Sequence, residues 1–597
     1  MDRVVYATEE RLLRPSRFFI ALLVLPAVLA VPARALPPDG DAWLKLETDN
    51  FTLFSNAGER PTRQLATDLE RLRATLAQLD PDLKLSSPSP TFLFVFRDGA
   101  ALDPYRLVFE GKPVEVGGYF LSRPEANYVA VNADPRGDAR AIVYHEYLHY
   151  ILRNNYPGLP LWLHEGMAQL YSTFDAGGSE ARIGKPMEEH ARWLPRNPLL
   201  PLAELFALGV RSRDYHEGSR RGAFYAQSWA LAHYLLVGNP DRRELTLRYL
   251  RTLSRGEPAD EAFRLAFGGE LEAELRAYIH RGVFRHVQAP GAKVEPGFRS
   301  APLPREDLLA GLGLLLSFLD PSLRSVAEEH LKAALAANPG HGPALAGLGV
   351  LAELAGRTEE AGSWLERAAK AAPDDFLIQY RWGLNRLALA PDRAALRQAA
   401  DALGRAVALR PDFGDAWARL GYALSSEVPL PPEALRAFET AHRLMPWDTS
   451  IAFNLMLTRI RMGKAKEAEA LIDGAIALEG GPAEAERARS VWVEELRGEA
   501  ERQLEKGDLE GAVPLLEELA AKAAGEQREK LHRRLDEVRG VLAYNRFGER
   551  YDQAVQLAQQ GRMDQAIHIL EDLAAHAPTP GQAAEARRLL EEIRRLR

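Results

Sequence analysis

Apolar and polar positions follow two different periods along this chain, and the change from one to the other divides it. From about Asp41 to Val287, short alternating stretches are mixed with helical ones. Trp43 to Thr48 and Phe51 to Ser55 alternate apolar and polar residues around Asp49-Asn50, which predicts two strands joined by a turn. Leu65, Leu69, Leu72 and Leu76 fall on one side of a helix over Pro61 to Leu79. Thr91 to Phe96 is a compact apolar strand. Gly118 to Ser122 and Tyr128 to Asn132 predict a hairpin turning around Pro124-Glu125-Ala126. A helix then runs from about Asp138 to Arg153, broken by Asn154-Asn155-Tyr156-Pro157-Gly158, and a second begins near Pro160. Further helices are predicted around Leu202 to Leu208, Tyr225 to Leu236 and Glu244 to Leu253. The segment 41–287 thus reads as an α+β domain with a small mixed sheet. Residues 288–304 are rich in Pro and Gly, lack periodicity and read as a linker.

Beyond the linker the helical period takes over and repeats. Pro339 and Pro373 lie 34 residues apart, each closing a similar helix, and Pro411 and Pro446 close the next two units. Leu348-Gly349 and Leu420-Gly421-Tyr422 recur at one point of the unit, and Ala361, Ala434 and Phe438 at another. These residues resemble the tetratricopeptide repeat, whose period is about 34 and whose small residues let paired helices pack closely. The resemblance covers 305–480. It fades over 481–597, where Gly507-Asp508-Leu509 and Gly561-Arg562-Met563 still look like turns between helices of divergent units. An all-α solenoid is expected over roughly half the chain, with a protein partner on its surface.

Composition narrows the classes. The chain has 597 residues, enough for two or more domains, and is 46% hydrophobic and 26% charged, which is globular. A net charge of −8 gives no basic face for nucleic acid. With no cysteine, any bound metal must rest on His and carboxylate. Arg11, Arg14 and Arg17 precede the apolar run Phe18 to Val31, and Ala33-Arg34-Ala35 is a small-x-small site. Residues 1–35 therefore read as a cleaved signal peptide, placing the mature protein in a periplasm or outside the cell. A single uncleaved N-terminal anchor is the alternative. The richness in Ala, Leu, Arg and Gly is that of a bacterial chain.

Chemistry concentrates on the helix after the second hairpin. Tyr144-His145-Glu146-Tyr147-Leu148-His149 is an H-E-x-x-H run; its two histidines, four apart, project from one helix face and can reach one Zn²⁺. Glu146, one position round, can hold the water that a metal activates. Zinc needs a third protein ligand, and Glu165 in Trp162-Leu163-His164-Glu165-Gly166-Met167-Ala168 is the obvious supplier.

The two runs together resemble the gluzincin zinc peptidases, the group of thermolysin and aminopeptidase N. The resemblance implies one zinc ion on His145, His149 and Glu165, with Glu146 as general base passing a proton to the leaving nitrogen. Tyr225 lies about as far past Glu165 as the group's catalytic tyrosine and is the implied oxyanion donor. Gly166 and Ala168 would let the second helix approach the first. Fifteen residues lie between His149 and Glu165, a shorter loop than in aminopeptidase N. Gln169 stands where thermolysin has an Asp that orients a zinc-bound His. The G-x-M-E-N signature of aminopeptidases is missing, which favours an endopeptidase. His164 reads as a surface histidine or one behind the ligands, and His233 as a structural one. Tyr128 to Asn132 is the strand expected at the sheet edge to receive an extended substrate.

The expectation is an extracytoplasmic zinc metalloendopeptidase whose solenoid recruits a protein substrate or partner. The alternative is an envelope assembly or binding factor in which the solenoid works and the peptidase-like domain is weakly active or inert. A third option applies the same zinc chemistry to another amide or an ester.

Overall fold

The computed structural model describes residues 36–597, apart from 86–89, 110–111, 114–116, 124, 135–138, 157, 178–179, 209–217, 256–258, 296, 390–391, 524 and 597. The expected signal peptide, 1–35, lies outside the described residues. The chain forms two compact units, one up to Ile451 and one from Ala452.

In the first unit the opening hairpin forms as its alternation dictates, β1 (Leu44–Glu47) pairing antiparallel with β2 (Thr52–Ser55). Helix α1 (Glu59–Leu79) leads to β3 (Thr91–Phe96), and β4 (Gly118–Ser122) and β5 (Asn127–Asn132) make the second hairpin. Helices α2 (Ala139–Asn155) and α3 (Leu161–Ser172) follow. A small sheet is built from β6 (Asp175–Gly177), β7 (Glu180–Ile183) and, much later, β8 (Val287–Pro290), with helix α4 (Gly218–His233) between. Strand β9 (Arg299–Pro302) returns to pair with β1. Among the described residues the main sheet has six strands in the order β9-β1-β2-β3-β5-β4.

Two sequence expectations are corrected here. Residues 288–304 are no linker, because they supply nearly all of β8 and the whole of β9, one to each sheet. Four-residue strands are too short to show a period, and edge positions tolerate Pro290 and Pro302. Strand β5, expected at the edge, lies inside the sheet between β3, which is parallel to it, and β4, which is antiparallel. The edge beside the hairpin is β4.

Both faces of the sheet are apolar. Leu93, Val95, Val129 and Val131 point to one side, where Leu65, Leu69 and Leu72 of α1 and Val143, Leu148 and Ile151 of α2 cover them. Phe94, Phe96, Tyr128 and Ala130 point to the other. Strands buried on both faces read as near-continuous apolar runs, as Thr91 to Phe96 does. The cover of that second face is α5 (Arg305–Leu319), through Leu308, Leu312, Leu315 and Leu316. This helix opens the solenoid.

The solenoid continues as helix pairs, with α5 paired to α6 (Arg324–Ala337) and α7 (Gly342–Leu354) to α8 (Thr358–Ala371). Helix α9 (Phe376–Leu387) pairs with α10 (Arg393–Leu409), and α11 (Gly414–Leu424) with α12 (Pro432–Leu444). The recurring glycines mark close contacts: a Cβ at Gly349 would stand 2.7 Å from Leu365, and one at Gly421 2.9 Å from the Phe438 ring. Two first helices of these pairs, α5 and α9, hold the β4–β5 hairpin of the α+β part. Phe318 on α5 lies 5.3 Å from the Tyr128 ring, with Arg123 over its own ring at 4.5 Å. The buried Arg381 on α9 donates to the Tyr128 hydroxyl at 3.1 Å and pairs with Glu125 at 3.5 Å, both in the β4–β5 hairpin.

The second unit is helical throughout its described residues. Gly507 and Gly561 take left-handed backbone (φ 78° for both) and end helices as expected of inter-helix turns, and Asp508 caps the helix after it by accepting from Gly511 N at 2.9 Å. Its helices include Gly525–Gln559, 35 residues long, against 17 or fewer in α5 to α12. Longer helices stretch the repeat beyond 34 residues, which is why the pattern fades after about 480.

A chain ended after Pro304 removes the cover from Phe94, Phe96 and Tyr128. It is expected to bind an apolar dye and to lose cooperative unfolding, read by fluorescence and urea titration. Arg381→Ala in the full chain leaves Glu125 buried without its cation, and should cost about 3–5 kcal/mol in the same titration.

Candidate metal centre

Helix α2 places His145 and His149 one turn apart, and α3 brings Glu165 against both. The imidazole Nε2 atoms lie 3.0 Å apart, and Glu165 Oε2 is 3.7 Å from His145 Nε2 and 3.4 Å from His149 Nε2. These three residues are a group whose donor atoms all fall within 4.8 Å of one another. A tetrahedral ion with bonds of about 2.0–2.1 Å needs donors roughly 3.4 Å apart, and the observed separations straddle that length. Two nitrogens and one carboxylate oxygen, largely buried, are a donor set that zinc accepts. The residues fit the ion.

Electrostatics around the cluster follow from burial and mutual charge. Burial alone would raise the Glu165 carboxyl, but the charge and hydrogen bond of His149, helped by His145 and His164, hold it at about 2. His145 is driven down to about 3 by burial and by the charge of His149. Burial opposes the charge on His149 as well, yet the Glu165 carboxylate keeps it above its ordinary value. Burial pushes Glu146 up to about 7.

Behind the ligands the arrangement differs from the thermolysin pattern. His145 hydrogen-bonds to the backbone of Ala168, so a main-chain group stands where an Asp was missed in the sequence. Gln169 turns away and bonds His190 at 2.9 Å. His164 is buried against His149, with Nδ1 to Nδ1 at 2.9 Å. The sequence offered the surface as one place for it because its helical position alone points away from the metal; that part of the expectation is corrected.

Gly166 has a different partner from the one expected. A Cβ there would stand 2.3 Å from the Ser228 carbonyl and 2.7 Å from Ala232, so the glycine seats α3 against α4 rather than α2. Ala168 joins the core that α2 shares with the sheet. Tyr225 sits on α4, one turn before Ser228, half-buried with its ring against Phe224 at 5.4 Å. His233, further along α4, is structural: its Nε2 meets the Gly184 carbonyl at 3.0 Å and its Nδ1 the Tyr278 hydroxyl at 2.8 Å. Met167 packs in the core.

Comparisons with known proteins reach the solenoid. A family model described as the tetratricopeptide repeat matches residues 325–380, from α6 into α9. This stretch is a tetratricopeptide repeat. No curated protein matches the chain. Among solved structures it is similar to MamA, at 21% identity over 30% of this chain and 96% of that one, with a TM-score of 0.25. A second is YrrB, described as a TPR protein with an unusual peptide-binding site, at 22% identity over 30% and 90% of the two chains and a TM-score of 0.27. A third is MamA 41-end from Desulfovibrio magneticus RS-1, at 22% identity over 29% and 95%, with a TM-score of 0.25.

Gly166→Val tests the seat of Glu165. The side chain cannot fit against Ser228 without moving α3, so stability should fall by about 1–3 kcal/mol in urea titration. Zinc uptake, measured by metal analysis after dialysis, should fall with it.

Proposed function

We propose that this protein is a zinc-dependent metalloendopeptidase acting outside the cytoplasm, with a tetratricopeptide solenoid that engages a protein substrate or partner. The observation that carries the proposal is the convergence of His145 Nε2, His149 Nε2 and Glu165 Oε2 on one buried point. A zinc ion bound there supplies Lewis acidity, acidifying a water and polarising a carbonyl. Glu146 takes a proton at its carboxylate and returns it to the leaving nitrogen; its position beside the ligands on α2 and its raised carboxyl suit that exchange. Tyr225 is the proposed donor to the developing oxyanion, by resemblance. The outer edge of β4, in place of β5, receives an extended peptide as an added strand, since β4 is the sheet edge against which α2 lies. The export reading of residues 1–35 and the lack of an aminopeptidase signature support the location and the endopeptidase mode.

The second reading is an envelope assembly or binding factor with a weakly active or inert peptidase-like domain. The tetratricopeptide match favours it more directly than it favours the enzyme, because it bears on protein binding alone. The same zinc site acting on another amide or an ester is a variant of the first.

Metal content and cleavage separate the readings. The enzyme is expected to hold one zinc per chain, to cleave members of a peptide library and to lose cleavage with the metal on chelation. Glu146→Gln should retain the zinc and lose at least about 100-fold in hydrolysis. A metal-free, inactive chain that binds partners through its repeats would establish the second reading, and a Glu146→Gln protein as fast as the parent would remove the mechanism.

A further inference from the structure

His164 lies directly behind the candidate metal centre and faces one of its ligands through a ring nitrogen. The Nδ1 atoms of His164 and His149 are 2.9 Å apart, the ring centroids 4.7 Å, and the ring planes within 7° of each other. Near-parallel rings with nitrogens 2.9 Å apart fit an N–H···N hydrogen bond, in which one ring holds the proton and the other accepts it. His149 turns its other nitrogen, Nε2, to His145 and Glu165. An imidazole that gives Nε2 to a metal keeps its proton on Nδ1. Donor and acceptor are then fixed, with His149 donating, His164 accepting, and the proton of His164 on its own Nε2.

The other end of the ring argues against a histidine held by the core. His164 Nε2 is buried and has no hydrogen-bond partner among the described residues. A buried polar nitrogen left unpaired is unfavourable, and a core position of this shape would be better filled by an apolar ring. His233, on α4, shows the contrast, since both its nitrogens are engaged by core groups. The contact with His149 is what accounts for a histidine at position 164.

We propose that His164 is a positioning residue that fixes the tautomer and ring plane of His149 for zinc, an inference that rests on the zinc site proposed above. Its acceptor is neutral, unlike the carboxylate that often stands behind a metal-bound histidine. It orients the ring without adding negative charge, so Glu165 remains the one anionic ligand and the centre keeps a net positive charge. That charge favours acidification of water and polarisation of a carbonyl.

The test reads metal binding, without turnover. Zinc affinity of the full chain is measured by competition with a chelator for the parent, His164→Phe and His164→Asn. The Phe variant keeps a ring but cannot accept, and should bind zinc about 10- to 100-fold more weakly. The Asn variant, whose Oδ1 can accept from Nδ1–H, should recover most of that loss. In zinc-loaded parent labelled with ¹⁵N-histidine, a scalar coupling between the two Nδ1 atoms is expected across the hydrogen bond. Equal affinity of the parent and His164→Phe, or absence of the coupling in zinc-loaded parent, overturns the inference and leaves the zinc site standing. A parent that takes up no zinc overturns both.

Discussion

A mixed sheet with two apolar faces cannot stand alone, and the first unit follows from the need to cover both. One face is closed by α1 and α2, which places the H-E-x-x-H helix directly on the sheet. The other is closed by α5, the first helix of the solenoid. The candidate centre and the repeats are therefore joined through one layer of strands. A tetratricopeptide array is often pictured as an arm hung from a domain by a tether. Here its first helix is part of the domain's core, and the segment expected to be the tether is woven into both sheets.

How much of this was legible depended on whether the signal was local. His145, Glu146 and His149 lie within a single turn and a half of one helix, and Glu165 sits on the next, so spacing alone brought them together. The repeats were legible because each unit buries its own small residues, such as Gly349 against Leu365. What escaped were contacts between distant segments. The pairing of β9 with β1 joins residues about 250 apart and rests on backbone hydrogen bonds, which leave little mark on four residues containing a proline. The edge of the sheet was misplaced for the same reason, because strand order is a property of the whole chain. Which residue His164 stands behind was not legible, because a helical wheel places one residue at a time and cannot show which ring stands behind another. The acceptance of His164 as a core-facing residue needed the crossing of α3 with α2.

The repeats also spend part of their surface on their own chain. First helices of successive pairs ordinarily line the inner face of such a solenoid. Here Phe318 on α5 and Arg381 on α9 hold the β4–β5 hairpin through Tyr128, Arg123 and Glu125. A buried Arg381–Glu125 pair is a poor source of net stability, since desolvation offsets much of the attraction, but it penalises any other register of helix against hairpin. The hairpin it fixes is the one whose outer strand, β4, forms the sheet edge. Residues already engaged in this way are not available to a partner.

One further contact ties the solenoid to the other side of the sheet. Trp447, just beyond α12, meets Tyr150 edge-on at 6.3 Å, and Tyr150 follows His149 on α2. The first unit thus grips its α+β part at two places, the hairpin that ends at the sheet edge and the helix that carries two of the three donor residues. Within this unit α2 lies directly against β4, and the run of helix pairs from α9 to Trp447 spans the same two elements.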